Sequence, residues 1–227
     1  MLSGMPPTGR SRAGFILAAG KSSRMGEDKA FVYFGGQTLL DRALAATGVA
    51  CDSVTIVGDS AKFAKYESAK LNSTKRDSIK HDSSNCRPMI ADIFPGCGPL
   101  GGIHTALVHS AAELNLILAV DMPFVSGELL RFLWARAEND EAIVTVPRVG
   151  KGLQPLCALY RREFSGFAEK ALRAGKYKIE AVFAAVSVRV IEESELRAAG
   201  FSEKCFFNVN TPQDRRAGED CPPQVGP

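Results

Sequence analysis

The sequence lacks any apolar run long enough to cross a membrane; the longest, around Leu114–Val120, has the length of a strand. A helical membrane anchor is therefore not expected. Met1–Arg12 carries Pro, Gly, Ser and Arg but no apolar centre, so it does not read as a secretory signal and is expected to be a disordered lead. Charge of one sign is also scarce: 28 Lys and Arg stand against 25 Asp and Glu, for a net charge of +3. That balance argues against a bulk binder of nucleic acid, while a local basic cluster can still hold a phosphorylated ligand. The six cysteines, Cys51, Cys86, Cys97, Cys157, Cys205 and Cys221, contain no C-x-x-C pair. Neither a cysteine metal site nor a disulfide framework is expected, and reduced thiols in the cytoplasm are the default.

Two familiar phosphate loops are missing from the Leu17–Lys29 segment as well. It contains no G-x-G-x-x-G. Gly20-Lys21-Ser22 matches the end of a P-loop, but the opening glycine of that motif would fall at Phe15.

What is present is an ordinary globular composition, 45% hydrophobic over 227 residues, enough for one domain with a full core. We expect that domain over residues 13–214, with the lead at 1–12 and a flexible tail at 215–227. Ala13–Ala19 is a short apolar run closed by Gly20 and reads as a buried strand. Phe31–Phe34 is a short extended piece closed by Gly35-Gly36. Thr38 opens a helix, with Asp41 completing a capping box and Leu39, Leu40, Ala43 and Leu44 as its apolar face. Ser53–Val57 is β-branched and strand-like. Leu114–Val120 is apolar nearly throughout, as a parallel strand buried on both faces should be. Helices are expected at Leu100–Ser110, Ser126–Ala137 and Arg162–Arg173, and strands at Ala142–Val146 and Pro155–Tyr160. Thr211-Pro212 marks a further helix start. The polar stretch from Ser68 to Asn85 reads as an exposed excursion. The alternation of strand and helix argues for right-handed βαβ units and a mostly parallel sheet.

Three segments carry chemistry. The first is Gly20–Lys29, a polar glycine loop after the first strand, where open α/β sheets bind ligands. Its backbone amides can approach a triphosphate, and Arg24 and Lys29 would stabilise charge on the departing pyrophosphate. Taken alone, it could equally be a solvated basic turn. The second is Asp121-Met122-Pro123. A carboxylate where a buried strand emerges is costly unless paired, and a hard divalent cation is one such partner, a turn or cap role another. The third is Asp92 with Gly98-Pro99-Leu100-Gly101-Gly102, a tight turn into a helix whose free amides suit an anion or a base edge. Further on, Asn208 and Asn210 alternate on one face of an extended piece; turn and cap chemistry before Thr211 explains Asn210 equally well. His104 and His109 are spaced five apart, which does not suit a helical metal pair, so both read as surface or packing residues.

Taken together, L-A-A-G-x-S-x-R-M-G-x-x-K, G-P-L-G-G, D-x-P and N-V-N-T-P appear in the order of one family. The chain resembles the molybdopterin guanylyltransferase type of nucleotidyltransferase from about residue 12 to 215. The resemblance implies a Rossmann-like, three-layer α/β/α nucleotidyltransferase fold of the nucleotide-diphospho-sugar transferase type. It implies transfer of GMP from GTP to Mo-molybdopterin with release of pyrophosphate. It implies that Leu17, Ala18, Ala19, Gly20, Lys29, Asp92, Gly98, Pro99, Leu100 and Asp121 meet the nucleotide, and that Arg24, Lys29 and Asp121 act in catalysis. Asp121 is the implied Mg²⁺ ligand, and Gln154, Asn208 and Asn210 lie on the acceptor side. The family contact at the end of the Ser53–Val57 strand falls on Gly58, where only backbone can serve. Implied partners are the two substrates and, transiently, molybdenum cofactor biosynthesis or molybdoenzyme-maturation proteins; a monomer is the default. Ala19 departs toward cytidylyltransferases, so cytidyl transfer to molybdopterin or to a sugar or polyol phosphate is the alternative. A nucleotide-binding module without turnover is the other.

Overall fold

The computed structural model describes residues 11–18, 28–59, 63 and 88–219. Its first strand, β1 (Ala13–Leu17), is buried along its whole length. It pairs in parallel with β4 (Ser53–Val57) on one side and β6 (Leu114–Ala119) on the other. Burial on both faces explains why β1 and β6 read as nearly continuous apolar runs rather than alternating ones.

The central sheet has eight strands. β5 (Met89–Ile90) extends it in parallel beyond β4. Beyond β6 come β9 (Cys157–Arg161), then β7 (Val144–Val149), then β10 (Val188–Ile191), and β8 (Gly152–Leu153) pairs with β7. β9 runs antiparallel to both β6 and β7, while β7 and β10 are parallel. The sheet is thus mostly parallel with one reversed strand inside it. The reversal has a local cause: Gly150 takes a positive φ of 56° and turns β7 back through β8 into β9, with no crossover helix.

Alternate residues of each strand feed two cores. Phe15 and Leu17 of β1, with Ile117 of β6, pack against α2 (Pro99–His109), α4 (Phe164–Arg173) and α5 (Ile179–Phe183). Ile16, Leu116 and Leu118 point the other way, toward α1 (Leu39–Ala50) and α3 (Gly127–Ala137). This is the three-layer α/β/α arrangement that the sequence implied.

The cap at Thr38 is as expected: its hydroxyl accepts from the Asp41 amide at 3.1 Å and donates to the Asp41 carboxylate at 2.8 Å. Before it, residues 31–34 are only partly extended. Lys29–Phe31 forms a 3₁₀ turn. β2 (Tyr33–Phe34) and β3 (Gln37–Thr38) follow as a hairpin through Gly35 and Gly36, both at positive φ as its tight turn requires.

Several boundaries move. The helix expected from Arg162 begins at Phe164, and the strand expected from Pro155 begins at Cys157. The strand expected at Ala142–Val146 lies at Val144–Val149. The stretch after Arg173 also holds α5, β10 and α6 (Glu193–Ala198), which the sequence did not announce. α7 (Pro212–Glu219), whose Gly218 is buried against Phe34, runs into the first residues of the stretch expected as a flexible tail; residues 220–227 of that stretch lie outside the described residues. The Ser68–Asn85 excursion lies outside the described residues.

Candidate active site

The C-terminal ends of β1 and β6 lie side by side, with Leu17 in register with Ala119. The Val120 amide donates to the Leu17 carbonyl at 3.2 Å, and the Ala18 amide to the Val57 carbonyl at 2.9 Å. Leu17 and Ala18 are both buried where β1 ends at this edge. Ala19, Gly20 and Arg24 lie outside the described residues. The chain is described again at Asp28, whose carboxylate accepts from the Ala30 amide at 3.2 Å and caps the 3₁₀ turn carrying Lys29.

That turn aims Lys29 back at the end of β6. Its ammonium lies 3.2 Å from Asp121 Oδ2, although the two residues are 92 positions apart in sequence. Both side chains are mostly shielded, at 22% and 18% exposure, which keeps the pair out of bulk water. The same ammonium donates to Asn210 Oδ1, from a third segment 181 positions away. The Val209 amide donates to the Asp121 carbonyl at 2.9 Å, so the closing N-V-N-T string is strapped onto the Asp121 loop.

Asp214 supports this strap, and sequence reasoning missed it. Asp214 Oδ2 accepts from the amides of Asn210 at 2.9 Å and Thr211 at 2.8 Å. The Asp214 amide donates back to Thr211 Oγ1 at 3.1 Å. The Asn210 amide, first among these donors, holds the Asp214 carboxyl below its ordinary value. The signal was present: Thr211 to Asp214 has the S/T-x-x-D/E spacing of a reciprocal helix cap. Of the two asparagines, only Asn210 reaches the lysine. The Asn208 side chain donates to its neighbouring Phe206 carbonyl at 3.2 Å, a local turn bond.

Asp92 sits on the other side of β1, just past β5. Its Oδ1 accepts from the Phe94 amide and from the Thr105 hydroxyl, each at 3.0 Å. Gly96 and Gly98 take positive φ values of 84° and 72°, which turn the chain into α2. Gly98 and Pro99 are exposed, whereas the Leu100 side chain is fully buried in the core and leaves only its backbone for a ligand. Gly58 lies at the same edge. Its amide is already given to the Ile90 carbonyl at 3.0 Å, so its own carbonyl is what the backbone could offer.

Gln154 is half-buried before β9, with its amide on the Pro147 carbonyl at 2.9 Å. Because β9 runs backward, its start lies beside the end of β6: the Ala119 amide donates to the Leu156 carbonyl at 2.7 Å. Gln154 therefore belongs to the same edge of the sheet as Asp121. His104 is buried with its ring edge-on to Phe94 at 5.0 Å, and burial lowers its pKa. His109 Nδ1 pairs with the Thr105 carbonyl at 2.9 Å.

Among the described residues, no group of three or more His, Cys, Asp or Glu side chains could hold a metal alone. A single partly shielded carboxylate suits Mg²⁺, which takes one or two carboxylates and fills its shell with phosphate oxygens and water. Asp121 fits such an ion arriving with a nucleotide, and does not fit a metal caged by protein.

The sequence model of the MobA-like NTP transferase domain matches residues 14–190. The chain belongs to this family. It is a nucleotidyltransferase, similar over most of its length to proteins carrying that activity in their names. The probable molybdenum cofactor guanylyltransferase of Pelotomaculum thermopropionicum is 36% identical over 201 residues, 88% of each chain. The molybdenum cofactor guanylyltransferase of Desulfosudis oleivorans is 31% identical over 207 residues, 91% of this chain and 93% of that one. Among solved structures, molybdopterin-guanine dinucleotide biosynthesis protein A from Archaeoglobus fulgidus superposes with a TM-score of 0.75 at 26% identity, covering 92% of this chain and 97% of that one. The 2-C-methyl-D-erythritol 4-phosphate cytidylyltransferase of Thermus thermophilus shares the fold, with a TM-score of 0.62 at 18% identity over 91% of this chain and 96% of that one. For this MobA-like chain, the matched span ends just before Ile191, so the strap bearing Asn210 and Asp214 lies C-terminal to it.

Proposed function

We propose that the chain transfers GMP from GTP to Mo-molybdopterin, forming molybdopterin guanine dinucleotide and releasing pyrophosphate, with Mg²⁺ as cofactor. The carrying observation is the convergence of Lys29 and Asp121 at 3.2 Å on the C-terminal edge of a mostly parallel sheet. The names of the relatives, molybdenum cofactor guanylyltransferase, support the choice of nucleotide and acceptor.

The phosphate of the acceptor is already an anionic nucleophile. Its oxygen attacks the α-phosphorus of GTP, one P–O bond forms, and the bond to the bridging oxygen breaks. That oxygen leaves with its electron pair as pyrophosphate, so no strong general base is required. The ammonium of Lys29 neutralises charge on the phosphates as that bond breaks. Asp121 would hold Mg²⁺, which when bound acts as a Lewis acid on phosphate oxygens. Asn210 orients Lys29, and the edge of β1 and the Asp92 turn bind the nucleoside. Positioning and neutralisation supply the rate.

The test is pyrophosphate release from GTP with molybdopterin as acceptor. It should require Mg²⁺, stop on chelation, and fall about 10²-fold or more in Asp121→Asn. Thermal stabilisation by GTP with Mg²⁺ should exceed that by CTP. Stabilisation by CTP alone would make the chain a cytidylyltransferase. Equal background release from wild type and Asp121→Asn would leave only nucleotide binding.

A further inference from the structure

Thr105 is fully buried in α2, yet its hydroxyl has two partners in the turn that precedes the helix. It accepts from the Ile93 amide at 2.9 Å and donates to Asp92 Oδ1 at 3.0 Å. The Phe94 amide donates to the same Oδ1 at 3.0 Å. A carboxylate oxygen has about two acceptor sites, and both on Oδ1 are thereby used. Among the described residues, no hydrogen bond is made to Oδ2.

A second contact fixes the same turn one helical turn earlier. A Cβ on Gly101 would fall 2.9 Å from the Phe94 carbonyl oxygen and 3.3 Å from Asp92 Oδ1. Positions 101 and 105 share a helix face, so the 92–94 turn is pressed on α2 at both. The next glycine seats the helix on β1: a Cβ on Gly102 would lie 3.3 Å from Leu17 Cδ1. One helix thus sets the Asp92 turn and the end of β1 together. Gly101 and Gly102 of G-P-L-G-G serve this close approach, which accounts for these two without any contact to a ligand.

We propose that Thr105 is a positioning residue for guanine-nucleotide binding, one that saturates Oδ1 of Asp92 and presents Oδ2 as a single acceptor to the guanosine part of GTP. The inference rests on the reading of this site as a GTP site. A carboxylate held this way meets one N–H or O–H donor and is spared the cost of ordering when GTP arrives. Losing the hydroxyl releases the carboxylate and takes from the Ile93 amide its partner in the turn.

Thr105→Val keeps the shape and removes the hydroxyl. GTP binding, measured by calorimetry, should weaken about tenfold, while kcat at saturating GTP stays within about twofold. Thr105→Ser should bind GTP as wild type does. A purely structural residue would instead lower Tm without this split between Kd and kcat. Asp92→Ala separates the two readings. If Asp92→Ala weakens GTP binding and Thr105→Val does not, the role of Thr105 is overturned and the GTP site stands. If Asp92→Ala itself binds GTP normally, the place of Asp92 in the site is lost, and the proposal with it. Should Thr105→Val not fold, Gly101→Ala displaces the same turn: weakened GTP binding at unchanged kcat supports the proposal, and unchanged binding overturns it.

Discussion

A lysine ammonium shared between a carboxylate and an amide oxygen is held where a phosphate can take it over. Lys29 stands in that position between Asp121 and Asn210. Replacing water by a fixed, partly shielded cation is worth more in the transition state, when negative charge grows on the leaving pyrophosphate, than in the ground state. Lys29→Ala should therefore lower kcat/KM by ~10² or more. Steady-state pyrophosphate release checks this. An unchanged kcat/KM would reduce the 3.2 Å contact to an ion pair that merely neutralises Asp121. Asp121 was legible in sequence because a costly charge stood at a strand exit, and Lys29 because it belonged to the basic glycine loop after the first strand. Asn210 was legible only as one of two choices, since alternation cannot tell which asparagine turns inward. Asn208 satisfies itself on the Phe206 carbonyl, a bond three-dimensional turn geometry decides. Asp214 was overlooked although the helix start at Thr211 was expected, because the partner of that cap, three residues on, was not read with it.

At the scale of elements, legibility followed burial. β1 and β6 announced themselves because both of their faces are covered, and β4 through its β-branched residues. β10 did not: it lies at the sheet edge, and three of its four residues are only half-buried. The direction of β9 was also hidden, since period and polarity carry no sign; only the short β7–β8–β9 connection reveals it. Some glycines carry element packing that composition cannot reveal. Gly127, at the start of α3, touches α1: a Cβ there would meet Val49 Cγ1 at 2.5 Å and Val49 Cβ at 2.7 Å. Valine is stiff at χ1 and cannot swing aside, so the two helices must part. Gly127→Ala should cost about 1–3 kcal/mol by overpacking, against the small helix-propensity gain of alanine. Urea unfolding measures it. Val49→Ala in the same chain should recover only part of the loss: it removes Cγ1 but keeps the Cβ at 2.7 Å, while Val49, 47% exposed, gives up little burial. A double variant no more stable than Gly127→Ala would place the strain elsewhere.

At the scale of the molecule, chemistry and anchoring occupy opposite ends of the sheet. The site gathers where β1 and β6 end. At the start of β1, Arg12 ties three elements together. Its guanidinium binds the Glu138 carboxylate at 2.8 and 2.9 Å, just past α3, and lies over the Trp134 ring at 5.4 Å from the centroid. Its amide donates to Asp52 Oδ2 at 2.8 Å, before β4. The five residues of β1 separate this clamp from the nucleotide edge by roughly 16 Å, at about 3.3 Å per residue. The guanidinium–carboxylate pair is about a third exposed, so solvent screens it, and it should contribute at most about 1 kcal/mol. The ring contact adds roughly 0.5–1 kcal/mol. Arg12→Ala should accordingly lower unfolding free energy by about 1–2 kcal/mol, lowering Tm by roughly 2–4 °C per kcal/mol in a chain of this size. GTP affinity in the folded protein should not move, since sites this far apart with no shared partner add independently. Paired urea unfolding and GTP calorimetry on Arg12→Ala read both quantities. A weakened GTP Kd at full folding would mean that the clamp sets the register of β1 against β6, and that the two ends of the sheet are coupled through the strand itself.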